Sequence, residues 1–340
     1  MRKILLLLLV LFVAEAYGVR FAYVIHSSSS SITQFTVGEN GDLIYKAKYY
    51  DDIGDLEDWG TYFNSKMYYT VSWDMTNSIS LWSIDSTTGA LTRESVVKTG
   101  MNPWALIMTN NEKCAYIGNF NSNTISQFQI EQGNGLFKPI GEYFTGYSGA
   151  AHVIITGDDA YAVAIFSNSN TIVSYKINSN CRLTATNFSA KQSLFGPNRA
   201  KTIGRNAYIV SDLNNSIVHY QIGENGSLNF KSSITVDGME PMGIAVLNNK
   251  FLYVGLRKSN EIQVFKINGD GELTKVKHYS TQGSGPRNVA FTSDHKHAYV
   301  ANQFSNEISI FDVNESTGEL KYIKKIPSEG NQPYGTAFVE

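Results

Sequence analysis

A tyrosine that ends a short apolar run recurs through the chain at a nearly constant interval. The seven copies are Tyr23, Tyr69, Tyr116, Tyr161, Tyr208, Tyr253 and Tyr299, at intervals of 46, 47, 45, 47, 45 and 46 residues. Each is followed by a polar loop and then by a segment such as NTISQFQI or NEISIFDV, which has apolar residues on both faces of a strand. A unit that is apolar on both faces must stack against its neighbours.

Each repeated unit contains four short strands. A Gly-x-Leu turn, for example Gly226-Ser-Leu228, joins the third and fourth strands, and the fourth unit has Cys181 in place of the glycine. A connection rich in Gly and Pro then leads into another short apolar strand, as in GPRNVAF. Helical periodicity is absent, so the pattern predicts an all-β fold, a seven-bladed β-propeller with four-stranded blades.

The two ends of the repeat predict how the ring closes. The segment RFAYV at the start is a second strand, and QPYGTAFVE at the end is an innermost strand. We expect the N- and C-terminal strands to pair and complete one blade, because pairing removes the exposed sheet edges of a split ring. Residues 19–340 therefore form a single predicted domain.

The first 18 residues, MRKILLLLLVLFVAEAYG, have a basic start, an apolar run and small residues suited to cleavage. They predict a signal peptide over residues 1–18, with a retained N-terminal anchor as the alternative. We expect a secreted, monomeric mature chain without a membrane span.

A net charge of -2 argues against nucleic acid as a partner. Four sequons of such a chain are candidate glycosylation sites, at Asn187, Asn214, Asn225 and Asn314.

Two further features allow more than one interpretation. Cys114 and Cys181 fall on the same face in adjacent blades; we interpret them as separate thiols, with a disulfide as the alternative. The acidic segment that contains Asp51, Asp52, Asp55, Glu57 and Asp58 could seat calcium, but its spacing matches no regular calcium loop. A solvated connection is the favoured interpretation, and we expect no metal or other cofactor.

The blade topology sorts polar residues by face. His152, Arg199 and Arg287 lie where innermost strands begin, next to the central channel, and Asp212 follows the second strand of the fifth unit. Arginine can bind a carboxylate through two parallel hydrogen bonds, and His or Asp can transfer a proton. These four residues predict a site for a small anionic substrate at one mouth of the channel.

The segments VANQFSNEISIFDVNESTGEL and GPRNVAF, with the sevenfold tyrosine period, resemble the lactonase-type seven-bladed propellers. That family holds bacterial 6-phosphogluconolactonase and fungal carboxymuconate cyclase. The resemblance implies an active set of His, Arg, Glu and Arg. His152 in GAAH, Arg199 in GPNR and Arg287 in GPR match this pattern, whereas Asp212 stands where the family has Glu.

Two functions from different classes remain open. The first is a secreted lactonase or lactonising cycloisomerase that acts on a small anionic lactone or carboxylate without metal. Its predicted catalytic residues are His152 and Asp212, and its predicted substrate-binding residues are Arg199 and Arg287. The second is a non-catalytic exported propeller that binds a protein or a glycan through loops rich in Asn, Ser and Tyr.

The same residues also have structural interpretations. His152 can be a channel histidine satisfied by backbone groups, and the two arginines can form structural ion pairs. A mouth filled by large side chains such as Trp59 and Trp104 would favour the binding propeller.

Overall fold

The computed structural model of the chain describes residues 20–52, 56–58, 62–63, 66–72 and 76–339. Within these ranges the regular elements are all β-strands, and no helix is long and apolar enough to cross a membrane. The predicted signal peptide, residues 1–18, lies outside the described residues.

The strands form seven sheets, each of which is one blade of a ring. Blades 1 to 3 contain β1 (Arg20–His26), β2 (Ser31–Val37), β3 (Leu43–Tyr50), β4 (Leu56–Asp58), β5 (Tyr62–Phe63), β6 (Met67–Ser72), β7 (Ser78–Ile84), β8 (Leu91–Lys98), β9 (Pro103–Met108), β10 (Cys114–Asn119), β11 (Thr124–Ile130) and β12 (Phe137–Phe144). Blades 4 and 5 contain β13 (Ala150–Ile155), β14 (Tyr161–Phe166), β15 (Thr171–Ile177), β16 (Leu183–Ala190), β17 (Pro197–Ile203), β18 (Asn206–Ser211), β19 (Ser216–Ile222) and β20 (Leu228–Thr235). Blades 6 and 7 contain β21 (Pro241–Leu247), β22 (Phe251–Leu256), β23 (Glu261–Ile267), β24 (Leu273–Ser280), β25 (Pro286–Phe291), β26 (His297–Asn302), β27 (Glu307–Val313) and β28 (Leu320–Pro327), and β29 (Pro333–Val339) returns to blade 1.

The ring closes as the sequence predicts. Blade 1 has the strand order β29-β1-β2-β3, so the last strand of the chain is the innermost strand beside the first. These two strands pair antiparallel from Phe21 opposite Val339 to His26 opposite Pro333. The predicted seven-bladed propeller and its closure are therefore confirmed. Blade 2 differs from the others because its innermost strand is split into β4 and β5, which both pair with β6.

The topology gives the ring two distinct faces. We call the upper face the one that carries the connections between blades and the loops between second and third strands. The lower face carries the hairpins between first and second strands and between third and fourth strands. Apolar side chains fill all seven junctions between neighbouring blades.

The repeated tyrosine bonds each blade to the next. In six of the seven copies its hydroxyl is buried and donates a hydrogen bond to a backbone carbonyl in the lower-face turn of the following blade, for example from Tyr208 to Gly271 O at 2.7 Å. The last copy, Tyr299, reaches Gly41 O at 2.7 Å and so joins blade 7 to blade 1. The fourth copy, Tyr161, instead reaches Glu224 O at 2.8 Å. The period of the sequence is thus the period of an inter-blade hydrogen bond.

A second set of inter-blade hydrogen bonds lies on the upper face. An asparagine at the end of the loop between second and third strands accepts a backbone N–H from the next connection. The pairs are Asn77 with Asn102, Asn123 with Gly149, Asn170 with Gly196, Asn215 with Glu240, Asn260 with Gly285 and Asn306 with Gln332. All six asparagines have positive φ, which asparagine tolerates better than most residues. Each of these six junctions therefore has an inter-blade hydrogen bond on the upper face and another on the lower face.

The interpretation of the cysteines as separate thiols is wrong. Cys114, at the start of β10 in blade 3, and Cys181, in the lower-face turn of blade 4, form a disulfide. Their Cα atoms are 5.4 Å apart. Cys181 O also accepts the Tyr116 hydroxyl at 2.9 Å, so the residue that replaces the turn glycine keeps the tyrosine contact. The disulfide adds a covalent link at that junction.

The interpretation of the acidic segment as a solvated connection is wrong for Asp51. This carboxylate is buried, and it accepts hydrogen bonds from Thr70 Oγ1 at 2.7 Å and Ser80 Oγ at 3.0 Å. Arg93 Nη1 lies 3.2 Å from Asp51 and also pairs with the exposed Asp52. Burial raises the pKa of Asp51, and the hydrogen bonds and Arg93 oppose that rise. Asp51 is therefore a core residue of the junction between blades 1 and 2. Asp55 and the side chains of Glu57 and Asp58 lie outside the described residues.

Candidate functional site at the channel

The predicted site residues lie at a bulge in the innermost strands. In β17 the pairing with β18 shifts between Pro197 and Arg199, which leaves Asn198 as the extra residue. In β25 the shift lies between Pro286 and Asn288, and the extra residue is Arg287. Bulges re-aim side chains beside many active sites. The two strands therefore present different residue types at equivalent positions.

The two arginines are not equivalent, although the motifs GPNR and GPRN look alike. Arg287 corresponds to Asn198, the extra residue of its bulge, and Arg199 corresponds to Asn288, the paired residue. In β13 the same register makes Ala151 the extra residue and His152 the paired one. His152 and Arg199 thus share one level of the channel wall, and Arg287 occupies the other.

The extra residues of the bulges contact upper-face groups. Asn198 Nδ2 donates to Asp212 Oδ2 at 3.0 Å, and Arg287 Nη2 donates to the hydroxyl of Tyr334, which is the extra residue of β29. The Arg287 guanidinium also lies 4.2 Å from the centroid of the Tyr334 ring, in a cation–π contact. The level of Arg287 therefore forms the upper mouth of the channel.

Asp212 lies on this mouth, directly after β18 as predicted. The absence of a side chain at Gly196 makes room for its carboxylate, since a Cβ there would collide with Oδ1. Burial raises the pKa of Asp212; the Asn198 hydrogen bond opposes the rise, and the charge of nearby Glu240 adds to it. A carboxylate whose pKa is raised is a stronger base than an ordinary carboxylate, which suits it to accept a proton.

Glu240 and Arg257 form an ion pair at the same mouth, in blade 6. Arg257 Nη1 also donates to Gln303 Oε1 at 3.4 Å, and its guanidinium lies 5.4 Å from the Phe304 ring centroid. Asn215 links the pair to Asp212: its N–H donates to Asp212 O at 3.3 Å and its Oδ1 accepts the Glu240 N–H at 2.9 Å. The loop that presents Asp212 is thus fixed to the loop that presents Glu240.

His152 occupies the deeper level. Its Nδ1 accepts the backbone N–H of Ala200, in the innermost strand of the next blade, at 3.1 Å. Asn288 makes the equivalent contact in blade 7, where Oδ1 accepts the Thr336 N–H at 3.5 Å. Burial lowers the pKa of His152 well below its usual range, and the charges of Arg199 and Lys201 lower it further. The imidazole is therefore neutral, and its proton is on Nε2 because Nδ1 is an acceptor.

The structure does not bring all four predicted residues into one contact network. His152 lines a cavity of about 190 Å³ with lower-level groups such as Asn110 and Thr202. In the described part of the chain, no hydrogen bond joins His152 to Asp212. Arg199 lies at the level of His152: its charge lowers the pKa of His152, and its guanidinium is 5.9 Å from the Trp104 ring centroid.

Trp104 packs against the upper-face loop that contains Phe120. Its indole stacks on Phe120, with centroids 4.2 Å apart and planes 6° apart, and its Nε1 donates to Asn102 at 2.6 Å. Trp59 lies outside the described residues. No group of three or more potential metal ligands occurs in the described ranges.

Three residues of the site are missed by sequence reasoning. Asn198 and Lys201 flank Arg199 but carry no motif of their own, and Tyr334 is recognisable only as the counterpart of Arg287. Aligning the bulges of GPNR, GPRN and QPYG, instead of matching residue types, would have placed Asn198 and Tyr334 with Arg287.

Comparison with known proteins agrees with this architecture. The family model "Lactonase, 7-bladed beta-propeller" matches residues 19–151 and 146–333. A 6-phosphogluconolactonase of Formosa agariphila is 28% identical over 278 residues, which are 74% of this chain and 77% of that protein. A 6-phosphogluconolactonase of Bacillus subtilis is 23% identical over 297 residues, 80% of this chain and 82% of that protein.

A solved structure is similar across nearly the whole ring. The periplasmic gluconolactonase of Pseudomonas aeruginosa has a TM-score of 0.80 at 17% identity, covering 94% of this chain and 99% of that one. At this identity the likeness concerns the fold. The repeated blades, the ring closed by its two ends and the match to the family over most of the sequence lead to one conclusion: this chain belongs to the seven-bladed β-propeller lactonase family.

Proposed function

We propose that this protein is an exported lactonase that opens a small anionic lactone of the sugar-lactone class, without a metal. The observation that carries the proposal is Asp212, a half-buried carboxylate of raised pKa that lies at the channel mouth of a lactonase-family propeller. The names of the relatives, 6-phosphogluconolactonase and gluconolactonase, support an aldonolactone as substrate class.

In the proposed reaction, Asp212 acts as general base. It takes a proton from water, the water oxygen bonds to the lactone carbonyl carbon, and the ring C–O bond then breaks. The proton passes from Asp212 to the departing alkoxide, so that one lactone and one water give one hydroxy acid. The raised pKa suits this role because the base must both accept and release the proton.

Arg199, Arg287 and His152 bind and polarise the substrate in this proposal. Arg287, held by Tyr334, provides a fixed cation at the mouth, and Arg199 provides a second cation near His152. The Ala200 N–H leaves neutral His152 with a proton on Nε2, so this residue donates a hydrogen bond toward the oxyanion that develops on the carbonyl. In this role His152 stabilises the negative charge of the oxyanion by donating a hydrogen bond from Nε2.

Export is part of the same proposal. The apolar leader over residues 1–18 supports it, and so does the Cys114–Cys181 disulfide, because disulfides persist mainly in oxidising compartments. Asn187, Asn214, Asn225 and Asn314 are all exposed, so each can carry a glycan if the producing cell attaches one. Mass measurement of the protein recovered from the culture medium, before and after deglycosylation, tests both points. A secreted mass that still includes residues 1–18 would overturn the predicted cleavage.

Turnover of a panel of small lactones, followed by acid release, tests the activity. The isosteric Asp212→Asn variant should lower kcat roughly a hundredfold or more, as expected for a lost general base. His152→Ala should also lower kcat, whereas Arg287→Ala should mainly raise KM. Glu329→Gln, an exposed carboxylate on the same face, is the matched control and should match the wild type.

The outcomes separate the two functional classes. If Asp212→Asn hydrolyses a lactone substrate as fast as the wild type, Asp212 is not the base. If no lactone in the panel is turned over, the non-catalytic binding propeller becomes the better interpretation.

A further inference from the structure

The lower end of the central channel opens into a cavity of about 690 Å³, on the side opposite Asp212 and Arg287. Strands β17, β21, β25 and β29 contribute to its walls, and lower-face turns at Asn248, Asn249 and His295 contribute to its rim. Its volume lies within the range of roughly 300 to 1,000 Å³ typical of small-molecule sites. This cavity is distinct from the mouth that carries the proposed reaction.

The lining of this lower cavity combines amide and hydroxyl groups with one cation. Hydrogen-bonding side chains come from Thr202, Asn248, Asn249, Asn288, Thr292 and Thr336. Ile244, Val246 and Val289 provide apolar surface between them. Lys201 is the only Lys or Arg among the described lining residues, and none of those residues is a carboxylate. The charge favours an anion, and the amides and hydroxyls favour a ligand rich in hydroxyl groups.

Two of these polar side chains are almost fully buried in the cavity wall. Asn288 is 5% exposed and Thr336 is 3% exposed. Asn288 uses its Oδ1 to accept the Thr336 N–H, and the Thr336 hydroxyl has no hydrogen-bond partner within the described residues. A buried polar group without a partner is uncommon in folded proteins and calls for a functional explanation. A hydroxylated ligand in the cavity would supply one.

Lys201 also connects the lower cavity with His152. Lys201 and Thr202 line both the large cavity and the smaller one that contains the His152 side chain. The Lys201 charge acts on His152 as well. A ligand anion held by Lys201 therefore lies on the lower side of the channel level that His152 occupies.

We propose that the lower cavity is a second ligand site, which binds an open-chain polyhydroxylated carboxylate of the aldonate class. The carboxylate pairs with Lys201, and the hydroxyl groups bond to the asparagine and threonine side chains. Opening a sugar lactone yields a compound of this class, but the site stands on the chemistry of the cavity and can be tested without any lactone.

Calorimetric titration with sodium gluconate, on the full mature chain, tests the proposal. We expect gluconate to bind to the lower cavity of the wild type. In Lys201→Met this binding should be weaker by roughly tenfold or more, since a charged hydrogen bond is lost. Lys250→Met removes the same charge from the same face but outside the lining, so it should leave the affinity unchanged. Acetate lacks the hydroxyl groups and sorbitol lacks the carboxylate, so both should bind much more weakly than gluconate.

Methyl NMR locates the ligand and protects the test against a misfolded variant. Gluconate should shift the methyl signals of Ile244, Val246 and Val289 in the wild type and in Lys250→Met. If Lys201→Met does not fold, Asn249→Gly replaces it, because that change removes a lining amide at a position of positive φ. The proposal is overturned if millimolar gluconate gives no heat and no shifts of these methyl signals, or if Lys201→Met and Lys250→Met weaken binding equally.

Discussion

Removing the disulfide through the double change Cys114→Ala and Cys181→Gly should destabilise the ring by a calculable amount. Cys181 stands where most blades have glycine and adopts φ 65, so Cys181→Gly restores the turn residue of the repeat. Cys114→Ala removes the partner from β10. The double variant retains the Tyr116 hydrogen bond, because its acceptor is a backbone carbonyl.

The sequence separation of the cysteines sets the magnitude. The bridge joins residues 67 apart. Cross-linking a loop of that length lowers the entropy of the unfolded chain, and this raises the free energy of unfolding by about 4 kcal/mol at room temperature. Glycine at positive φ recovers about 1 kcal/mol of backbone strain. The double variant should therefore lose about 3 kcal/mol of unfolding free energy.

Guanidinium unfolding followed by tryptophan fluorescence measures this loss. The midpoint of the double variant should fall below that of the oxidised wild type, and wild type in a reducing agent should unfold close to the double variant. An unchanged midpoint in the double variant would show that the bridge adds nothing to the hydrogen bonds and packing of that junction.

Two further predictions concern closure and pH. Deleting residues 331–340 removes β29, the innermost strand of blade 1. The melting temperature should then fall markedly, or soluble protein should be lost. An unchanged melting temperature would refute the closure by β29. Burial lowers the pKa of His26 from 6.5 to about 4, so the unfolded chain takes up a proton at higher pH than the folded one. Stability should thus fall as the pH drops through 6.5 toward 4, by about 2 kcal/mol from this group at about pH 5. His26→Asn, the residue found at the equivalent end of β10 and β26, should flatten this part of the urea-midpoint profile; equal slopes would exclude His26 as the cause.

The repeat could be predicted from sequence because its period follows from contacts made at each junction. The tyrosine donates to the next blade, and an asparagine accepts from it, so both recur at blade spacing. The positions of His152, Arg199 and Arg287 on innermost strands follow from the same spacing.

The arrangement within the site could not be predicted in the same way. GPNR and GPRN differ only in the order of two residues, but the bulge turns that order into two levels of the channel. The disulfide is similar, because the spacing of the repeat places Cys114 and Cys181 on one face but does not give the 5.4 Å between their Cα atoms. Both outcomes depend on local backbone geometry that the repeat period does not encode.

The pairing of β1 with β29 also orders events during synthesis. Strands β6 to β28 can assemble into blades as they leave the ribosome, but β1 has an unpaired edge until residues 333–339 have been made. An exposed strand edge can pair with another chain, so the interval before closure is the period of greatest aggregation risk. A slow step that holds back the last residues, such as threading through a membrane pore, would lengthen that interval, whereas in the assembled ring β1 is paired on both sides, with β29 and β2.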